Sequence, residues 1–307
     1  MQNNITLDQI KGCLLGCAFG DALGASYEGG YLERGLWYFL GRKNGRKRFT
    51  DDTQMSLDII NSILINKGVN QNHLAQTFAN NYRWSRGYGP GAARTLKKIK
   101  KGVHWSQANT SQFKDGSFGN GAAMRAPVLS LFYSGEELKE KVKLTSEITH
   151  AHPEAIEGAT LVALAASSAL QQDSNLDILA CLKNTSQLSS FKGDIRDVTG
   201  FFYDGKKSPI NEITARLGNS IEARNSCMTA ICYALYFRDL SFLKMFEHIK
   251  NGKGDVDTIA AMAGAIWGCF NGFEAMKNLE LNQIELGESI EGLATKIFEF
   301  NKQKEQV

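Results

Sequence analysis

Asp255-Val256-Asp257-Thr258, followed by Ile259, Met262, Ala263, Ile266 and Phe270, sets two carboxylates and a hydroxyl just ahead of an apolar repeat with helical spacing. Far upstream, Thr50-Asp51-Asp52 does the same ahead of Met55, Ile59, Ile60, Ile63 and Leu64, a repeat that ends near Gly68. Asp and Thr at such places are favoured helix N-caps, because their oxygens accept from free backbone N–H groups. A cap needs one oxygen, whereas several crowd each helix start here, and the pattern occurs twice. Asp255 and Asp257, at i and i+2 in an extended turn, can point to one side, as can Thr50 and Asp52. All-oxygen donor sets suit hard divalent cations such as Mg²⁺ or Mn²⁺. A fold that joined the two triplets would need cations between their charges. The expectation is a metal-dependent enzyme holding a pair of cations.

Around these triplets the pattern is helical almost throughout. Thr6-Leu7-Asp8-Gln9 has the form of a capping box. The helix it opens runs through Cys13, Leu14, Cys17 and Ala18, with small residues on every side, as expected of a central, fully surrounded helix. Pro153 stands where a first helical turn accepts it, ahead of Ile156, Ala159, Val162, Ala163 and Ala166. Met228, Ile231, Cys232 and Leu235 form another helical face. Four prolines in 307 residues suit long uninterrupted helices, and no alternating β pattern of useful length occurs. Residues 182–219 have weak periodicity and several turn formers, and read as a loop-rich insertion. The expected architecture is all-α: one domain over 1–307, a compact orthogonal array of many helices around a binuclear metal cleft.

Composition sets the remaining bounds. A hydrophobic fraction of 43% allows a sizeable core, and a net charge of +3 lies far from a nucleic-acid-binding balance. Cys13, Cys17, Cys181, Cys227, Cys232 and Cys269 show no CxxC pair or metal-finger spacing. Most fall in apolar helical stretches, which suits reduced, buried thiols in a cytoplasmic protein. The apolar stretch from Gly12 to Gly24 is interrupted by Asp21 and is too short to span a bilayer, so neither signal peptide nor anchor is expected. The basic run Arg42, Lys43, Arg46, Lys47 and Arg48 reads as a solvated loop, and Lys97, Lys98, Lys100 and Lys101 as a wet helix face. Trp84, Trp105 and Trp267 read as core.

Two glycine-rich stretches point to an anion. Asp115-Gly116-Ser117-Phe118-Gly119-Asn120-Gly121 lets backbone N–H groups approach a ligand as closely as phosphates require. Gly87-Tyr88-Gly89-Pro90-Gly91 is a turn ahead of a helix start, where anions are favoured. His150 and His152 bracket a helix start without a third soft ligand. They therefore suit ligand contact or capping rather than zinc, and His152, beside Pro153, reads as structural.

Together these residues resemble an ordered family pattern. Gly20-Asp21-Ala22-Leu23-Gly24, Phe49-Thr50-Asp51-Asp52-Thr53, Gly87-Tyr88-Gly89-Pro90-Gly91, Gly119-Asn120-Gly121-Ala122-Ala123-Met124-Arg125, Thr149-His150-Ala151-His152-Pro153 and Gly254-Asp255-Val256-Asp257-Thr258 are similar to motifs of the ADP-ribosylglycohydrolase family. The resemblance implies an all-α fold with two Mg²⁺ or Mn²⁺ ions, and hydrolysis of the bond between C1″ of ADP-ribose and an acceptor. It implies metal ligation by Thr50, Asp51, Asp52, Asp255, Asp257 and Thr258. Gly116, Ser117, Phe118, Gly119, Asn120 and Gly121 would hold the diphosphate and distal ribose, with Tyr88 and Gly89 lining the cleft and His150 on the pyrophosphate or ribose side. Glu28, after Tyr27, stands where the branch that cleaves serine-linked ADP-ribose has a gating glutamate. The helix-forming stretch from Arg94 to Lys101 also looks more like that branch than the arginine-specific one.

Two departures stand out: Val256 replaces a usual Thr, and Lys253 stands where a second glycine is common. The implied chemistry passes through an oxocarbenium-like transition state, with Glu28 and Asp52 as the acid–base carboxylates. The implied partner is an ADP-ribosylated protein or a small ADP-ribose conjugate. Competing readings are an arginine-specific hydrolase, a non-catalytic ADP-ribose binder, and an immunity protein that blocks an ADP-ribosyltransferase toxin. Intact metal motifs argue against an idle binder.

Overall fold

The computed structural model describes residues 5–28, 31–111, 114–203 and 212–305. Its central feature is a ladder of glycines. Gly12, Gly16, Gly20 and Gly24 repeat every fourth residue along α1 (Leu7–Gly24) and so share one face. That face lies antiparallel on the last long buried helix, Val256–Asn271, with backbone against backbone. A Cβ at Gly16 would sit 2.2 Å from the Gly264 carbonyl oxygen, and one at Gly20 would sit 2.1 Å from that of Ala260. At the end of the ladder a Cβ on Gly24 would sit 2.4 Å from Asp257 Cα. The C-terminus of α1 is thereby pressed against the start of the helix that carries the second acidic triplet.

After α1 the chain runs through α2 (Tyr31–Leu40), a short hairpin β1 (Arg42–Lys43) and β2 (Arg46–Lys47), α3 (Asp51–Asn66), α4 (Gln71–Asn81), α5 (Pro90–Lys100) and α6 (Trp105–Ala108). Two 3₁₀ turns, Asn120–Arg125 and Pro127–Leu131, lead to α7 (Gly135–Glu147) and α8 (Pro153–Leu170). Then come α9 (Asn175–Thr185), α10 (Ser189–Tyr203), α11 (Ile213–Leu217), α12 (Ala223–Tyr236) and α13 (Phe242–Gly252). The chain closes with α14 (Val256–Asn271) and α15 (Gly287–Glu305). Helix α14 is buried from Val256 to Phe270 and packs on α1, α8, α12 and α13, so the core is organised around it. The Thr6–Gln9 capping box and Pro153 at the start of α8 occur as expected.

Four expectations need correction. The supposed loop-rich insertion over 182–219 is largely helical, carrying the end of α9, α10 and α11, and its residues 204–211 lie outside the described ones. Phe191, Ile195, Val198 and Phe201 bury one face of α10, a period obscured by the polar residues between them. The basic run is a hairpin rather than a loop: Asn44 and Gly45 take φ of +53° and +79°, as a two-residue type I′ connection requires. The extended turn expected for each acidic pair is the first turn of a helix, since Asp51 and Asp52 already belong to α3 and Asp257 to α14. Trp267 is core, but Trp84 is 71% exposed. Lys253 adopts φ +58° and ψ −162°, a region that glycine favours, which explains the residue type expected there.

Candidate functional site

Asp21 organises the first triplet. It lies in the last turns of α1, fully buried, and accepts from Thr50 N (2.8 Å), Thr53 N (3.0 Å) and Thr53 Oγ1 (2.6 Å) at the start of α3. These bonds satisfy backbone donors that Thr50 alone would cap weakly, through a 3.4 Å contact with Asp52 N. Asp51 and Asp52 are thereby left free to face the cleft. At the start of α14, Asp255 makes no capping bond. It accepts instead from the Asn120 side chain, which ties α14 to the glycine-rich loop.

The two triplets meet. Thr258 Oγ1 reaches Asp52 Oδ1 at 3.4 Å across a separation of 206 residues, and Thr258 N donates to Asp257 Oδ1 at 2.8 Å. One carboxylate oxygen from each of Asp21, Asp52 and Asp257 lies within 4.8 Å of the others, and the same holds for Glu28, Asp255 and Asp257. Burial raises the pKa of Asp51, Asp52 and Asp257 well above the carboxylate range, and neighbouring negative charges raise it further. Asp21 and Asp255 are also raised by burial, against the hydrogen bonds each accepts. Asp52 Oδ2 is buried without a hydrogen-bond partner. Mutually repelling carboxylates, threonine hydroxyls and an orphaned oxygen fit a hard divalent cation, which would supply the missing counter-charge.

A cleft of about 330 Å³ runs from these carboxylates to the glycine-rich loop. It is lined by Glu28, Asp51, Asp52, Asp255, Asp257 and Thr258 and by Ser117, Phe118, Gly119, Asn120, Gly121 and His150, the two groups meeting where Asn120 bonds Asp255. The loop is held by α12's approach: Asn120 N donates to the Ile221 carbonyl (2.9 Å) and Ala223 N to that of Phe118 (3.1 Å). Gly89 lines the same cleft. A second hollow of about 240 Å³ shares Glu28 and Gly87 with the cleft and is walled by Thr50, Leu36, Trp37 and Trp84.

Two expected cleft residues lie elsewhere. Tyr88 is buried against Tyr82, with ring centroids 4.9 Å apart, just after Gly87 turns the chain at φ +82°. Gly116, at φ +84°, packs on Ala151 and His152, where a Cβ would clash at 2.8 Å. His152 caps α8 through Glu154 N (3.2 Å), the structural role expected of it. Asp21 and Ile221 were not among the expected site residues. The single charged residue in the apolar stretch from Gly12 to Gly24 was the available signal for Asp21. Nothing in the sequence singled out Ile221, a 66% exposed residue on the cleft wall.

Paired acidic helix starts sharing one cleft with a glycine-rich loop fit an all-α hydrolase of the glycoside-cleaving class. The ADP-ribosylglycohydrolase family model matches residues 2–306, and the chain belongs to that family; it is an ADP-ribosyl hydrolase. It is 31% identical to ADP-ribosylhydrolase ARH3 of Gallus gallus over 87% of this chain and 86% of that protein. Identity to ADP-ribosyl-[dinitrogen reductase] glycohydrolase of Rhodospirillum rubrum is 25%, with 91% of each chain covered. A solved structure described as an ADP-ribosylglycohydrolase-related protein complex superposes with a TM-score of 0.71 at 22% identity, over 96% of this chain and 98% of that one, and shares the fold. No helix among the described residues is long and apolar enough to cross a membrane.

Proposed function

We propose that the protein is a divalent-metal-dependent hydrolase that frees ADP-ribose from an oxygen-linked acceptor, a serine of a polypeptide. The observation that carries the reading is the meeting of the two acidic triplets, with Asp52 Oδ2 buried and unsatisfied between them. Thr50, Asp51, Asp52, Asp255, Asp257 and Thr258 would hold two Mg²⁺ or Mn²⁺ ions, with Asp21 and Glu28 in reach. When bound, the cations would fix the ribose hydroxyls beside the reacting carbon and acidify a water.

The chain's own groups account for the rest. Ser117 to Gly121 and His150 receive the diphosphate and distal ribose, which places C1″ near the carboxylate end. Cleavage of the C1″–O bond builds positive charge on the sugar, and the surrounding carboxylates stabilise it. Glu28 stands where the cleft meets the second hollow and can deliver a proton to the departing serine oxygen. Asp52, beside the cations it would help to hold, can take a proton from water. The acceptor leaves towards Trp37 and Trp84. Six unpaired thiols, five of them buried, suit a reducing cytoplasm.

The test is release of ADP-ribose from serine-linked and arginine-linked peptides, with and without chelator. Serine-linked release that chelator abolishes and Mg²⁺ or Mn²⁺ restores supports the reading. Chelator-insensitive cleavage sinks the metal dependence, and faster arginine-linked cleavage sinks the acceptor assignment.

A further inference from the structure

We infer that Arg125 and Thr149 are positioning residues that hold His150 in the tautomer protonated on Nε2, so that its ring offers the ligand an N–H donor and never a lone pair. The inference rests on the reading that the cleft takes ADP-ribose, whose anionic oxygens need donors. Arg125 is 1% exposed, and its guanidinium lies over the Phe78 ring, 4.9 Å from the centroid. Nη1 donates to the Gly121 carbonyl (2.8 Å), while Nη2 donates to Thr149 Oγ1 (2.8 Å) and to the Thr145 carbonyl (3.2 Å).

A guanidinium cannot accept, so Thr149 Oγ1 is the acceptor in that bond and its single proton must go elsewhere. The hydroxyl lies 2.8 Å from His150 Nδ1, and among the described residues no other acceptor is within its reach. The proton therefore points at Nδ1, which is bare, and a neutral ring then carries its hydrogen on Nε2. Burial, reinforced by the Arg125 charge, pushes the imidazole pKa down to about 3, so the ring stays neutral. His150 lines the cleft and lies on Gly121, where a Cβ would come within 2.8 Å of Nε2. One arginine thus clamps the glycine-rich loop and orients the histidine beside it. With the tautomer reversed, Nε2 would turn a lone pair on the ligand's negative oxygens.

The test uses full-length ¹⁵N-labelled protein and long-range proton–nitrogen spectra of the His150 ring. Wild type should show the Nε2–H tautomer alone. Thr149→Val keeps the shape but removes the hydroxyl, leaving Arg125 its bond to the Thr145 carbonyl. Its ring should populate both tautomers and its affinity for ADP-ribose should fall roughly ten-fold, the scale of a hydrogen bond to a charged group. Thr149→Ser should restore both. A wild-type ring protonated on Nδ1 would overturn the inference without any variant. So would Thr149→Val with unchanged spectrum and affinity, or Thr149→Ser that fails to recover. Wild-type protein that binds no ADP-ribose would sink the functional reading instead, leaving the spectrum to decide the relay.

Discussion

At the scale of single residues, the carboxylates of this protein are held against their own charge. Asp257 sits among Glu28, Asp52 and Asp255, so without cations its ionised form repels three neighbours. Asp257→Asn should abolish turnover and Mn²⁺ binding, read by calorimetric titration, yet raise the melting temperature of the metal-free protein. The rise should be about 2–4 °C for each kcal/mol of repulsion relieved. Loss of both activity and stability would mean that the residue is structural. Asp58 provides a second case, away from the cleft. Its Oδ1 accepts from Asn81 (2.7 Å) and Gln54 (3.2 Å), Oδ2 is buried without a partner, and burial raises its pKa to about 6. A carboxyl raised in the folded state binds its proton more tightly there than in the unfolded chain. Its stabilising share is therefore full below the unfolded value of about 4 and is lost as pH rises through about 6. Asp58→Asn keeps an oxygen for both amides, so it should stabilise the protein at pH 7.5 by at most about 3 kcal/mol and flatten the pH 4–6 slope in urea unfolding.

At the scale of elements, the α1–α14 contact delivers the second triplet to the first. The carbonyl of Gly12 would lie 1.9 Å from a Cβ on Gly268, and Gly16 and Gly264 exclude one another's side chains equally. Gly16→Ala should cost roughly 1–3 kcal/mol by overpacking and weaken metal binding by prising the triplets apart. Urea unfolding and Mn²⁺ titration check both, and an Ala variant as stable and as active as wild type would refute the ladder. The first triplet has its own brace. Glu285 pairs with Arg86, accepts from Phe49 N at 3.1 Å, and lies 3.8 Å from Arg48 Nε. Arg86 in turn donates to the Phe49 carbonyl. Glu285→Ala should destabilise by about 3–5 kcal/mol, since two arginines lose their shared counter-charge in a buried place. These elements also mark what could be read in advance. Helical spacing after Thr50 and after Asp255 was legible because apolar residues recur at that spacing, on the buried face of α3 and throughout the wholly buried α14, whereas the period of α10 is obscured by the polar residues between its apolar positions. The four-residue glycine spacing of α1 was visible only as an abundance of small residues, since its meaning depends on a partner helix far along the chain.

At the scale of the whole molecule, the carboxylate cluster of the cleft was legible and the second hollow was not. Oxygen ligands cluster in short motifs, so Asp51, Asp52, Asp255, Asp257 and Thr258 could be expected together before any contact was known. The second hollow is assembled from α1's end, α2 and the turn before Arg86, and no local pattern announces it. Trp84, taken from sequence as core, is instead one of its walls, and Leu36 beside it is 53% exposed. Large apolar side chains left in water beside the proposed reaction site are best explained by a partner that covers them during turnover. If the acceptor polypeptide is that partner, Trp84→Ala should raise KM for a serine-linked ADP-ribosyl peptide roughly ten-fold, the cost of losing a buried aromatic anchor. Affinity for free ADP-ribose, which lacks an acceptor, should stay at the wild-type value, because Trp84 lies outside the cleft proposed to receive it. Equal KM values for the variant and wild type would show that the peptide leaves by another face. A parallel loss of ADP-ribose affinity would show that the hollow and the cleft act as one site.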